Sequence, residues 1–495
     1  MPIQTLRNAP PMMGRVKRTD AANKVIMAVV VLTFFGALSS PEPWMVFLSG
    51  VCLIGLILIL WRGDEPPILL FPVALQWSEV AIVPISTVWL GKTMQELSLY
   101  ESQLDGAATY GFLGLTAMAI GIRLGAGNET KSAENFSERI EKAARTLPFA
   151  KIIFVAMTLI GAGYSLAFLS AVAGPLREPL GQASSVKYVG LFMLTYCCLI
   201  RNQGYGILLS VVSFEIIFGM TGFFAAFKDS VLTFFVAALF ARPRIRLSDV
   251  LVISFFAGLI IFIGIFWSAV KPEYRAFVNK GTGAQVVVVP LADRLEFLGD
   301  AVMSLDGTKI SDGFERLVNR HGYIDYLALV LTNVPRVMPH EKGALTVAVF
   351  RHISVPRFLW PGKPVLPNDT EVMSKYTGLP MVWGDETSIS IGYLGEMYVD
   401  FGYFGGIAAA GIMGIAFGFA YRFLRSQRNT SAILLAGLAM MMSLKIGSFG
   451  TAYVKTAGAF VLAAVIVVIL AKFVFPHLLR GEQTVAKRGP SPAII

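Results

Sequence analysis

The chain has 495 residues, of which 55% are hydrophobic and only 15% charged, where an ordinary soluble domain carries roughly a quarter charged residues. Its formal net charge is +10, but the basic residues are spread over the connections between apolar runs, so a nucleic-acid partner is not indicated. Cys52, Cys197 and Cys198 all lie inside apolar runs, which excludes a disulfide framework and a CxxC metal pattern.

Apolar runs long enough to cross a hydrocarbon core, about 20 helical residues each, recur along the chain. In lipid an unpaired backbone is too costly for anything but helices or a closed barrel. The runs do not alternate as barrel strands do, so the predicted fold is an all-α polytopic membrane protein. Spans are predicted near 24–39, 44–61, 66–90, 106–122, 150–172, 186–200, 204–224, 229–241 and 249–269. Three more follow, near 402–421, 431–448 and 454–475, giving about 12 transmembrane helices. The first span lacks a clear small-x-small cleavage site and is read as retained rather than as a signal peptide.

Charge sets the expected orientation. The basic start (Arg7, Arg15, Lys17, Arg18, Lys24) places the N-terminus in the cytoplasm. Counting forward brings Arg123 to Lys151, the cluster Arg242, Arg244 and Arg246, and the cluster Arg422, Arg425 and Arg428 to that same side. The short span 229–241 is kept because removing it alone would put Arg242 to Arg246 outside. Four regions result: helices 1–9 in residues 1–270, a large periplasmic loop at 271–386, helices 10–12 in residues 387–475, and a basic cytoplasmic tail at 476–495.

The loop is neutral overall but polarised along its length. Between Arg316 and Lys363 stand Arg316, Arg320, Arg336, Lys342, Arg351, Arg357 and Lys363 against Asp325 and Glu341; from 364 to 386 Lys375 faces Asp369, Glu371, Asp385 and Glu386. Arginine grips phosphate oxygens with a planar fork, so the basic stretch suits an anionic headgroup, although each Arg singly could equally solvate the loop. His321, His340 and His352 fall in the same stretch, with a spacing unlike any recurring metal site. Residues 311–333 read as an amphipathic helix capped by Ser311, with Phe314, Leu317, Ile324 and Leu327 on its apolar side. Glu79, Glu215 and Lys445 lie inside spans, where they either pair across helices or line a substrate cavity.

The segment Val355-Pro-Arg-Phe-Leu-Trp-Pro-Gly-Lys-Pro364 is followed by Asp385-Glu-Thr-Ser388. Next comes Gly395-Glu-Met-Tyr-Val-Asp-Phe-Gly-Tyr-Phe-Gly-Gly406, leading into a span. Together these resemble the Wzy-type O-antigen and exopolysaccharide repeat-unit polymerases, by motif over residues 340–410 and elsewhere by topology alone. The resemblance implies a membrane-embedded, GT-C-like glycosyltransferase that needs no metal or cofactor. It would polymerise undecaprenyl-diphosphate-linked oligosaccharides at the periplasmic face of the bacterial inner membrane, with a chain-length regulator as a candidate partner. It further implies diphosphate contacts from Arg351, Arg357 and Lys363, with Arg336, Arg316 and Arg320 added from composition, and a base among Asp385, Glu386 and His352. Glu396 and Asp400 are candidates for fixing the loop to the helix mouth, and Gly395, Gly402, Gly405 and Gly406 for close helix packing. A flippase of lipid-linked glycans and an O-antigen ligase are the competing readings; the absence of internal repeats counts against the flippase.

Overall fold

The computed structural model describes residues 19–61, 66–127, 135–221, 227–241, 247–282, 286–355, 360, 362–363, 367–380 and 389–479, and among them every regular element is helical. The chain opens with α1 (Thr19–Ser39), α2 (Pro43–Leu60), α3 (Leu70–Leu90), the short α4 (Met94–Leu97) and α5 (Asp105–Ala126). It continues with α6 (Phe136–Thr146), α7 (Phe149–Val172), α8 (Arg177–Ala183), α9 (Val186–Arg201), α10 (Tyr205–Met220), α11 (Phe227–Ala241) and α12 (Leu247–Val278). The loop holds α13 (Leu291–Met303), α14 (Gly307–His321), α15 (Ile324–Asn333), α16 (Ala344–Ser354) and α17 (Asp369–Thr377). α18 (Gly392–Ser426), α19 (Ala432–Ser443) and α20 (Tyr453–Ile469) complete the bundle.

Eight stretches among the described residues are long and apolar enough to cross a membrane: Ala22–Ser39, Pro43–Leu60, Leu70–Leu90, Asp105–Ala126, Phe149–Val172, Gly174–Arg201, Gly392–Ser426 and Tyr453–Leu478. The chain is thus an all-helical polytopic protein. Three further predicted spans are helical but short. α10 has 16 residues, α11 has 15 and α19 has 12, so at 1.5 Å per residue they reach about 18–24 Å, less than the ~30 Å hydrocarbon core.

Small residues let two of the long helices meet backbone to backbone. A Cβ on Gly121 of α5 would stand 2.0 Å from the Gly411 carbonyl oxygen. One on Gly414 of α18 would stand 2.2 Å from that of Met118, and Gly125 and Gly418 are packed as closely. Such small-xxx-small contacts are a principal source of helix association where lipid removes the hydrophobic drive. On another side α6, predicted only as part of a basic connection, is an amphipathic helix that buries Phe136, Ile140, Ala143 and Ala144. Its Arg139 donates to the carbonyls of Arg425 (3.1 Å) and Gln427 (2.6 Å), tying it to the end of α18.

Two expectations about element boundaries need correction. The helix predicted over 311–333 is two helices, α14 and α15, separated at Gly322 and Tyr323; α14 begins earlier, with the Asp306 side chain accepting from the Lys309 amide at 2.7 Å, so Ser311 is an interior residue and not the cap. The polar and glycine break is what ends α14, because Gly322 leaves the helical conformation at φ −73, ψ 72. Likewise the span predicted from 402 starts at Gly392: residues 392–401 form a first helical segment, joined to the remainder across a kink at Gly402. Gly402 has φ 71, a conformation with little steric cost only for glycine.

Candidate site at the end of the loop

The loop helix α16 is built to be held by its neighbours. Its N-cap is Gly343, which has no side chain to accept from the first amides. Asp400, from the segment that opens α18, supplies the missing acceptor. Its Oδ1 accepts from the Leu345 amide (3.0 Å), and its Oδ2 accepts from the Thr346 amide (2.7 Å) and hydroxyl (2.6 Å). A buried carboxylate at a helix N-terminus also meets the positive end of the helix dipole. At the other end of α16 the Lys363 ammonium donates to the carbonyls of His352 and Val355 (2.7 Å for the latter), so both ends of the helix are capped by charge from outside it.

The neighbouring frame is fixed in the same way. Glu396 accepts from the Tyr453 amide at the start of α20 (3.0 Å), and the Tyr398 hydroxyl donates to the Val334 carbonyl (2.9 Å). The Glu341 amide donates to the Val399 carbonyl (3.0 Å), and His340 Nδ1 lies 3.2 Å from the same oxygen. Lys455 of α20 pairs with Asp369 at the start of α17. The segment 395–402, singled out for its carboxylates and glycines, is therefore the hub that joins α16, α20 and the turn after α15.

Of the predicted site residues, Arg351, His352 and Lys363 come together at the C-terminal end of α16. Arg351 is exposed, His352 half-buried and Lys363 buried. Lys363 donates to two carbonyls at the end of the helix, an arrangement that suits it to positioning α16. Arg336 is exposed in the turn after α15, and Arg316 is exposed on α14, in a separate cleft against α12 and α13. Arg357, Asp385, Glu386 and the Arg320 side chain lie outside the described residues.

Both acids of the basic stretch have internal partners. Asp325 is buried and accepts from the Ser98 hydroxyl (2.5 Å) and the Leu99 amide (3.1 Å); burial raises its carboxyl above the usual range. Glu341 accepts from Lys375 (2.7 Å) and the Tyr376 hydroxyl (2.8 Å), and these two hydrogen bonds lower it. Neither carboxylate has a hydrogen bond to Arg336 or Arg351 in its set of partners.

Polar chemistry also sits inside the bundle. Glu79 Oε2 accepts from the amides of Phe449 (2.9 Å) and Gly450 (3.2 Å), closing the break between α19 and α20. One helical position before it, Ser78 meets His321 Nε2 at 2.9 Å, and burial, helped by the Lys228 cation, pushes that imidazole down to about 4. Gln76 receives the Tyr393 hydroxyl (2.5 Å) and donates to the Ile446 carbonyl. Glu215 forms a separate network with Lys187, the Tyr164 hydroxyl and the Ser230 hydroxyl, each at 2.8 Å. The expected pairing across helices is thus present for Glu215, with Lys187 as the partner, whereas Lys445 donates to Ser185 (2.8 Å). Sequence reading passed over Lys187, although a lysine inside the span predicted over 186–200 was a visible signal.

Among the described residues no group of three or more His, Cys, Asp or Glu side chains gathers as a metal site. Comparison with protein-family models, with curated proteins and with solved structures gives no match.

Proposed function

We propose that this chain is a metal-independent membrane glycosyltransferase that polymerises undecaprenyl-diphosphate-linked oligosaccharide repeat units. In this reading the protein has about 12 spans in a GT-C-like arrangement, lies in the bacterial inner membrane with both termini cytoplasmic, and works with its 271–386 loop in the periplasm. The observation that carries the reading is the mooring of α16. The helix that ends in Arg351 and His352 is held at both ends by charges, one of them Asp400 from the segment leading into the next span. A cationic helix end fixed beside the membrane helices is what a lipid diphosphate requires of its binding site, since preorganised donors stabilise a leaving group without reorganising in the reaction.

The proposed step transfers the growing glycan. The bond between its reducing-end C1 and the diphosphate oxygen breaks as C1 bonds to a hydroxyl oxygen of the incoming lipid-linked unit. The hydroxyl proton goes to a base among Asp385, Glu386 and His352. The electron pair leaves with the diphosphate, which Arg351, Arg357 and Arg336 stabilise, while Lys363 keeps α16 in place. A chain-length regulator is the natural partner for such a reaction.

The test is the lipid-linked glycan profile of a deletion strain, analysed by mass spectrometry with a periplasmic accessibility probe. The expected result is single lipid-linked units that have reached the periplasm and are not lengthened. Long chains left on the carrier would instead assign a ligase, and units confined to the cytoplasmic leaflet a flippase.

A further inference from the structure

The end of α12 and the helices α13 and α14 flank an open cleft of about 360 Å³, its lining including Glu273, Phe297, Asp300, Lys309, Asp312 and Arg316. Its size falls within the range of small-ligand sites. The apolar part of the lining is Ala269, Val270, Ala301 and Phe297, whose ring is stacked on Phe277 at 4.8 Å between centroids. The polar part of the lining takes one carboxylate from each helix, Glu273, Asp300 and Asp312, and two cations from α14, Lys309 and Arg316. Lys309 already donates to the Ser304 hydroxyl at 3.1 Å, so that wall is partly ordered.

The composition of the lining decides the class of ligand. Three carboxylates against two cations give a net charge that repels phosphate. The carboxylates do not gather as a metal site. A purely apolar ligand would leave the charged walls dehydrated and unpaired. A polyhydroxylated ligand suits such a lining, because each hydroxyl can donate to a carboxylate and accept from Lys or Arg, while the C–H groups of a sugar ring suit the apolar Ala269, Ala301 and Phe297. Position agrees with this. The cleft starts at Ala269, where the span predicted over 249–269 ends, and α13 turns a set of exposed apolar residues, Leu291, Leu295, Val302 and Met303, away from the polar lining. Those residues suit the bilayer interface.

We infer that this cleft binds carbohydrate, as a subsite for a sugar of the glycan at the membrane surface, separate from the α16 end. The inference rests on the proposed function for its glycan substrate. Purified full-length protein in detergent is applied to an array of immobilised bacterial O-antigen and exopolysaccharide oligosaccharides. Wild type and Gly161→Ala, a change at a position where an added Cβ meets nothing within 4 Å, are expected to retain a common set of glycans. The double variant Asp300→Ala, Asp312→Ala is expected to bind them at least tenfold more weakly, as is Ser304→Trp, which fills the cleft; both change exposed residues and are checked for a wild-type size-exclusion profile. Wild-type protein that retains no glycan overturns the inference, as does undiminished binding by the cleft variants. Loss of binding in Arg351→Ala alone places the glycan at α16 and overturns the cleft while leaving the polymerase reading standing. Cleft-dependent binding together with a ligase or flippase profile in the deletion strain overturns the polymerase reading and leaves the cleft standing.

Discussion

Asp400 and His321 show how single side chains fix loop helices to the bundle. Removing the Asp400 carboxylate leaves two backbone amides of α16 without an acceptor, at a cost of about 2 kcal/mol for a charged cap. Asp400→Ala is therefore expected to open α16 locally, with hydrogen exchange over 344–354 accelerated about thirtyfold and little change in α5. Unchanged exchange there would show that packing alone holds the helix. His321 carries a pH dependence whose sign follows from burial. Its imidazole is held down to about 4 from an ordinary 6.5, so between those values the unfolded chain takes up the proton and the folded chain does not. Its contribution to stability is complete above pH 6.5 and declines as pH falls toward 4. The melting-temperature difference between wild type and His321→Asn in detergent is expected to be largest near pH 7 and to shrink toward pH 4; a constant difference would refute the buried neutral histidine.

At the level of elements, the α5–α18 contact depends on glycine more than on large apolar side chains. Ala at Gly121 or Gly414 places a methyl about 2 Å from a carbonyl oxygen of the other helix. The helices must separate or distort, which costs about 1–3 kcal/mol. Gly161 of α7 meets nothing within 4 Å of an added Cβ and serves as the control. Thermal unfolding followed by fluorescence-detected size exclusion is expected to show a clear loss for Gly121→Ala and Gly414→Ala and none for Gly161→Ala. The spacings Gly121-xxx-Gly125 and Gly414-xxx-Gly418 were visible in the sequence, although the glycines singled out there for close packing were Gly395, Gly402, Gly405 and Gly406. Which helix met which was not visible, because identical spacing says nothing of the partner. The same limit explains Asp400: an acidic residue at a helix mouth is visible in sequence, but its use as the cap of a helix about fifty residues earlier depends on how the chain returns.

For the whole molecule, orientation is the property most open to direct measurement. Cys52, Cys197 and Cys198 are free and buried, so a cysteine introduced at an exposed site is read against a quiet background. Thr282→Cys and Ser311→Cys, both at exposed positions, are expected to react with a membrane-impermeant maleimide added to cells with permeabilised outer membranes. A cysteine placed in the 476–495 tail is expected to react only after lysis. Protection of both loop positions, or labelling of the tail in intact cells, would reverse the topology derived from the basic clusters.

Sequence by itself determined that the chain is helical and polytopic, because twenty-residue apolar runs admit no other backbone solution in lipid; it located the long apolar helices but not α4, α6, α8, α13, α16 or α17. It also offered Glu396 and Asp400 as candidates for fixing the loop to the helix mouth and the glycines of 395–406 for close helix packing. Only the tertiary structure decided what those groups do. Helix length separated eight clear spans from the short helices α10, α11 and α19. The return of the loop onto the bundle gave Asp400 to α16, Lys363 to the carbonyls at its far end, and His321 to Ser78. Burial and hydrogen-bond partners are long-range properties, and a local pattern of residue types constrains them only weakly. For that reason the basic stretch, continuous in sequence, divides in space between the end of α16, with Arg351 and His352, and the cleft beside α14, with Arg316.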